Sequence, residues 1–337
     1  MKHMKRIIAI LVAALLLFSL AACGGDSETS PRTPVPVEYN GEKISVTLSG
    51  TAADYGLCKL LDNETYSVST SDELLGDLSD DLAVMPLWHA SELGSSGSSL
   101  NILAITTFGQ LSLVTNGAEI SGVKDLDGKQ ISVGQAYPVS SDSYSRVFDQ
   151  SAKTVERLLD VYGVKATVET EPLQNVYDKI VAGSTPIAVL PEPFASLAAA
   201  KSGAKIAFTL TNAWSESDET SLMAEYCVVA KDSFVESNPQ GVEKFLADLR
   251  ASVEWVNLHP TDAVNLLIEK GLVDADVLHT DPELADRKAE AAKNQQAVDL
   301  IARANVVVIE GEAMKAAVAQ NDLLQVENLD SLLYISN

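Results

Sequence analysis

Glu192 is the carboxylate best placed to do chemistry. It follows the apolar run Ile187–Leu190 and lies between Pro191 and Pro193. There it either meets a ligand or caps a helix starting at Pro193. Other strand-end positions carry groups suited to holding a small, flat molecule. Tyr55, Trp88, Phe108 and Tyr137 offer aromatic faces, while Ser49, Thr51, Thr107, Ser141 and Ser143 offer hydroxyls. Gly50 and Gly134 let backbone N–H groups come close, and Gln135 and His89 add hydrogen-bonding ends. Trp88 is equally suited to covering core, and His89 to a solvated loop. None of these candidates is Arg or Lys. Such a set favours a neutral or amino-bearing molecule, bound by stacking and hydrogen bonds. Helix N-termini and hydroxyls alone can also hold a sulfonate or nitrate.

Other chemistry finds little support. Apart from Cys23 the cysteines are Cys58 and Cys227, far apart, one in an expected helix and one in an expected buried strand. They read as two inert core thiols, and no paired spacing suggests zinc. His3, His89, His259 and His279 do not cluster. No Gly-x-Ser-x-Gly nucleophile turn occurs. The expectation is a binder without turnover, metal or cofactor.

The elements that would position these residues alternate, which argues for an α/β architecture. Strands are expected at Ile44–Leu48, Leu82–Met85, Leu100–Thr106 and Leu111–Val114, with a helix from Thr51 through Leu60 and a loop over Leu93–Ser99. A second unit follows with strands at Ile131–Val133, Ala166–Glu169, Ile187–Leu190 and Lys205–Phe208. Its helices run from Asp142 or Ser143 to Tyr162, over Val176–Val181 and over Pro193–Ala200, and the rhythm suggests a small parallel sheet. Cys227–Ala230 is one more strand. Asn238-Pro239 then opens a helix with Val242, Phe245, Leu249, Val253 and Val256 on one stripe, and Thr261–Glu269 forms another. Ligands of open α/β sheets lie beyond strand C-termini, where unpaired N–H groups face the cleft. That rule selected the candidates above, together with Thr106. Trp214 and Glu216 are further candidates on the hinge side.

The N-terminus is a separate object. Lys2, Lys5 and Arg6 precede an apolar core of 14 residues, Ile7–Leu20. That is shorter than the roughly 20 residues a spanning helix needs, and describes an export signal. Leu20-Ala21-Ala22-Cys23 resembles the lipobox of bacterial lipoproteins. The resemblance implies a signal peptide over residues 1–22 and a diacylglyceryl group on Cys23. Residues 23–42, rich in Gly, Ser and Pro, read as a flexible tether. Without residues 1–22 the net charge moves from −23 to −26. A body this acidic is repelled by nucleic acid and anionic headgroups.

Four stretches carry a wider resemblance: Asp81–Pro86, Gly122–Lys129, Ala188–Phe194 and Phe234–Pro239. In this order and spacing they resemble the nitrate/taurine/sulfonate-type substrate-binding proteins of ABC importers, a group with relatives that bind the thiamine pyrimidine precursor. The resemblance implies the two-lobed type II periplasmic-binding-protein fold, with a two-strand hinge and a ligand cleft between the lobes. It places lobe one at 43–114 plus 228–337 and lobe two at 117–226, with crossings near Leu113–Asn116 and Tyr226–Val229. It implies a monomeric, extracytoplasmic, lipid-anchored protein that hands a small molecule to a permease and its ATPase. The thiamine-precursor-like heterocycle is the preferred ligand. An aliphatic sulfonate, taurine or nitrate, and a sensor or adhesion role, are the alternatives. Pyrimidine synthases related to that family carry a cysteine-rich motif that this chain lacks.

Overall fold

A computed structural model of the chain describes residues 37–70, 78–135, 150–217, 223–279, 284–319 and 329–335. Cys23, the signal and most of the tether lie outside these residues, as do Tyr137, Ser141 and Ser143.

Strands β1 (Ile44–Leu48), β2 (Tyr66–Thr70), β3 (Leu82–Pro86), β4 (Leu100–Thr107), β10 (Tyr226–Lys231) and β11 (Val306–Ile309) form one sheet, in the order β11-β4-β10-β3-β1-β2. The second sheet has the order β7-β6-β8-β5-β9, from β5 (Leu111–Thr115), β6 (Gln130–Gln135), β7 (Thr167–Pro172), β8 (Ile187–Pro191) and β9 (Lys205–Thr209). β1, β2 and β3 run parallel, while β10 runs antiparallel to β3 and β4. In the second sheet β6, β7 and β8 are parallel and β5 is antiparallel to β8 and β9. The sheet is therefore mixed, not the parallel one expected.

Each sheet is covered on both faces, which is why its central strands are apolar throughout. The first carries Tyr55, Phe245 and Leu249 on one face and Met85, Ile102 and Met314 on the other. Helix α8 (Pro239–Leu258) supplies the first of these layers through its expected stripe. Asn238 caps it, accepting from the Gly241 N–H at 3.0 Å. Cys58 and Cys227 are buried and unpaired with each other. Burial pushes the Cys58 thiol up to about 11, and raises Cys227 further still.

The register shows where the chain changes lobes. Leu111–Thr115 pairs with β8 and β9, so it belongs wholly to the second sheet. Tyr226 pairs with Pro86 and Thr107 in the first sheet. The crossings therefore fall at Phe108–Gln110 and just before Tyr226, upstream of both expected positions. An extended hinge segment and a buried strand read alike in sequence, which accounts for the shift. Gly109 makes the first crossing possible: its φ is +118°, and a Cβ there would come within 2.6 Å of Thr211 Oγ1.

The same registers fix the edge that faces the hinge. Pro86 and Thr107, at the C-terminal ends of β3 and β4, both pair with the first residue of β10. Leu111, the start of β5, pairs with Pro191 at the end of β8. The C-terminal edges of both sheets thus meet at the crossings, bringing several strand-end candidates toward one place.

Candidate functional site

After β1, the turn Ser49-Gly50-Thr51 leads into helix α1 (Ala52–Asp62), which is wound in 3-10 form. Asp54, three residues into a Thr-x-x-Asp capping box, turns its carboxylate back on this turn. It accepts from the N–H groups of Ser49 at 2.9 Å, Gly50 at 2.7 Å and Thr51 at 3.2 Å, and from Ser49 Oγ at 2.9 Å. The expected free amides are therefore engaged by the protein's own acid. Asp54 is 1% exposed. Burial pushes its carboxyl up to about 6, against the downward pull of Ser49, Gly50 and Thr51.

Tyr55 follows, 1% exposed. Its hydroxyl has no hydrogen-bond partner among the described residues. Burial, then the nearby charges of Glu192 and Asp54, raises the phenol well above its ordinary range.

Glu192 stands at the end of β8, and its N–H donates to the Gln110 carbonyl in the hinge at 3.1 Å. One carboxylate oxygen accepts from Ser196 N at 3.2 Å and Ser196 Oγ at 2.7 Å, so the capping alternative is realised on helix α5 (Phe194–Lys201). The other accepts from Arg303 Nε at 2.5 Å, while Arg303 Nη2 donates to Ser196 Oγ at 2.8 Å. Arg303 lies in the last turn of α10 (Asp286–Ala304), which packs on lobe one. The arginine-free description of the cleft is thus corrected. The guanidinium comes from 111 residues away in sequence, and no local pattern ties it to Glu192.

The hinge is tied by a second acid. Glu225 donates its N–H to the Thr107 carbonyl at 3.1 Å, and its own carbonyl accepts from the Leu87 N–H at 2.8 Å. Its carboxylate accepts from the Gln110 N–H at 3.2 Å. Burial pushes this carboxyl up to about 7, opposed only by that one hydrogen bond. Thr107 is committed internally: Oγ1 donates to the Ala304 carbonyl at 3.0 Å and accepts from the Gly109 N–H at 3.2 Å. Phe108 is half-buried against the first lobe's core.

Trp88 and His89 sit in the first turn of α2 (Leu87–Ser95), not in a loop. Both are buried, with ring centroids 5.4 Å apart. Gly134 is a packing glycine, since a Cβ there would meet Leu173 Cδ1 at 2.7 Å. Gln135 is half-buried at the end of β6. Trp214 belongs to the core of lobe two and Glu216 is exposed.

Sequence reasoning missed Asp54, Gln110, Ser196, Glu225 and Arg303. Only Asp54 had a local signal, in its capping box. No group of three His, Cys, Asp or Glu placed to hold a metal occurs among the described residues.

Solved structures share this fold. An ABC transporter structure from Parabacteroides distasonis superposes with a TM-score of 0.60 at 17% identity, covering 82% of this chain and 90% of that one. The fold is the type II periplasmic-binding-protein fold. A zinc-bound ligand-binding component of an ABC-type import system from Staphylococcus aureus gives 0.56 at 12% identity, covering 88% and 97%. The aliphatic sulphonate binding protein SsuA from Escherichia coli gives 0.51 at 15%, covering 77% and 91%. No protein-family model and no curated protein matches the sequence. Within this binding-protein fold the cluster around Glu192 lies at the hinge end of the cleft, where both sheets present their strand ends.

Proposed function

We propose that this chain is the extracytoplasmic solute-binding component of an ABC importer. It captures a small organic molecule between its lobes and delivers it to a permease, without chemical turnover. The observation that carries this reading is the meeting of two C-terminal strand edges across a hinge of two short crossings. That geometry lets a ligand bridge the lobes and favour their closure. The solved neighbours, an ABC transporter structure and the ligand-binding component of an ABC-type import system, point the same way. Cys23 carries the lipid anchor in this reading, residues 23–42 are the tether, and the protein works as a monomer. Among the described residues no helix is long and apolar enough to cross a membrane.

Two ligand readings remain in play. Tyr55, Trp88 and Phe108 favour a flat, thiamine-precursor-like heterocycle. Arg303, together with the likeness to a sulphonate binder, favours an aliphatic sulfonate. A thermal-shift screen of pyrimidines, primary amines, alkanesulfonates, nitrate and amino acids tests capture itself. A true ligand at about 100 times its Kd adds roughly 2.7 kcal/mol of stability and raises Tm by several degrees. Small-angle scattering of the same complex then shows a smaller radius of gyration. Flat melting curves across every class would end the capture reading and leave the sensor or adhesion role.

A further inference from the structure

Helix α5 belongs to the second sheet's lobe but is held by the first along its whole length. At its start, Arg303 of α10 donates to Glu192 Oε1 at 2.5 Å and to Ser196 Oγ at 2.8 Å. At its centre, Leu197 is buried in the core cluster of the first sheet, which also holds Val273, Val277, Leu300 and Ile301. At its end, Lys201 pairs with Asp276 at 2.8 Å and lies 3.8 Å from Asp274. Asp274 caps the short 3-10 turn Ala275–Leu278, and Asp276 belongs to it. Leu197 and Lys201 are four residues apart and so share one face of the helix. Tyr177, from helix α4 (Leu173–Val181), adds a ring packed against the cores of both lobes.

Two short crossings leave a pair of lobes free to rotate unless something else joins them. This face of α5 does so, and its position decides which rotation it favours. Glu192 follows the C-terminal end of β8. Arg303 lies three residues before Val306, which pairs with Thr107 at the C-terminal end of β4. Both therefore stand on the strand-end edge, the ligand side of an open α/β sheet. A contact on that side tightens as the lobes close and breaks as they open. The outer pair is built to last: Asp276 is the main cause raising Lys201, and Lys201 the main cause lowering Asp276, so both stay charged.

We propose that α5 is an interlobe clasp that biases the ligand-free chain toward closure, with the exposed pair Lys201–Asp276 setting how often the lobes part. The buried Glu192–Arg303 pair and Leu197 hold the inner part of the clasp, where rotation moves atoms least. Lys201 and Asp276 lie at the far end of the helix, where the same rotation moves them most. They are also the members most open to water, each more than a third exposed. Opening therefore starts at this end, and its charges act on the balance between open and closed molecules. The clasp works without ligand, so its test stands apart from that of the capture reading.

Charge reversal tests it in the full chain, with spin labels reporting the distance between lobes. Glu64→Cys and Lys165→Cys place the labels at exposed sites beside the N-terminal ends of β2 and β7, one in each lobe and away from the crossings. Cys58 and Cys227 are buried and stay unlabelled, and Cys23→Ser removes the remaining thiol. In this background Lys201→Glu sets a third acid against Asp274 and Asp276. Without ligand, the ratio of open to closed molecules should rise about fivefold, seen by pulsed dipolar spectroscopy as a longer mean distance. Adding Asp276→Lys to Lys201→Glu restores the pair with its charges exchanged, and should return the original distribution. Lys201 is exposed, so neither change disturbs the core. An unchanged distribution in Lys201→Glu overturns the clasp. A shorter distance overturns it too, because the contact would then be one that closure has to break. A longer distance that the exchanged pair fails to reverse means that Lys201 acts through other groups, and overturns the role given to Asp276 and with it the proposal.

Discussion

Replacing Arg303 with Ala lowers the unfolding free energy by about 3 kcal/mol, read from urea denaturation at neutral pH. The Glu192 side chain is 0% exposed, and among the described residues Arg303 is the cation paired with it. Removing one partner of a buried ion pair costs about 3–5 kcal/mol, mostly as the penalty for the charge left behind. The lower end applies because Arg303 is 19% exposed and water can enter beside Glu192. The pair also joins lobes: Glu192 directly follows a strand of the second sheet, whereas Arg303 lies in the last turn of a helix packed on the first. The variant should therefore show a larger radius of gyration without ligand. A double-mutant cycle identifies the cause. In a Glu192→Gln background the same Arg303 change should cost about 1 kcal/mol, since no buried charge is stranded. An equal loss in both backgrounds would mean that the guanidinium stabilises something other than this carboxylate.

The contrast between Glu192 and Arg303 shows what was readable in the chain. Periodicity and punctuation located the strands Ile44–Leu48, Leu82–Pro86 and Ile187–Pro191 almost residue by residue, because each is a short buried run closed by Gly or Pro. The long helix after Asn238-Pro239 was equally plain. β2 was missed because Tyr66–Thr70 is largely exposed and polar, an edge strand without a buried signature. α2 was read partly as loop, since the Gly/Ser-rich stretch that begins inside it resembles a linker. At the site, the rule that ligands lie beyond strand ends selected Tyr55, Thr107 and Glu192 by position alone. It could not tell which polar groups were already occupied. Thr107 is spent on Ala304 and Gly109, and the β1 amides are spent on Asp54. Those pairings are three-dimensional, as is the approach of Arg303. The crossings were misplaced for a related reason: Leu111–Thr115 is buried at every position and gives no sign of which sheet it joins.

Glu225 makes the second large effect one of pH. Its carboxyl is held at about 7 in the folded chain, against an ordinary value of 4.5, because burial disfavours its charge. A raised folded-state value means that the native protein binds this proton more tightly than the unfolded chain does. The stabilisation is complete below about pH 4.5 and fades as pH rises through about 7. It amounts to something on the order of 3 kcal/mol. Asp54, held at about 6, adds a trend of the same sign over a lower window. Melting temperature should accordingly rise as pH is brought from 8 to 5. The excess negative charge of the chain, −23, contributes to that slope too, because acid relieves self-repulsion. Glu225→Gln separates the two. The amide oxygen can still accept from the Gln110 N–H, but it has no charge to desolvate. The variant should gain about 2–3 kcal/mol at pH 8, change little at pH 5, and show a flatter profile between them. Parallel profiles for the two proteins would place the titrating group elsewhere and show that the hinge tolerates a charged Glu225. In the folded chain, then, the acid that ties the two crossings together does so best with its proton on.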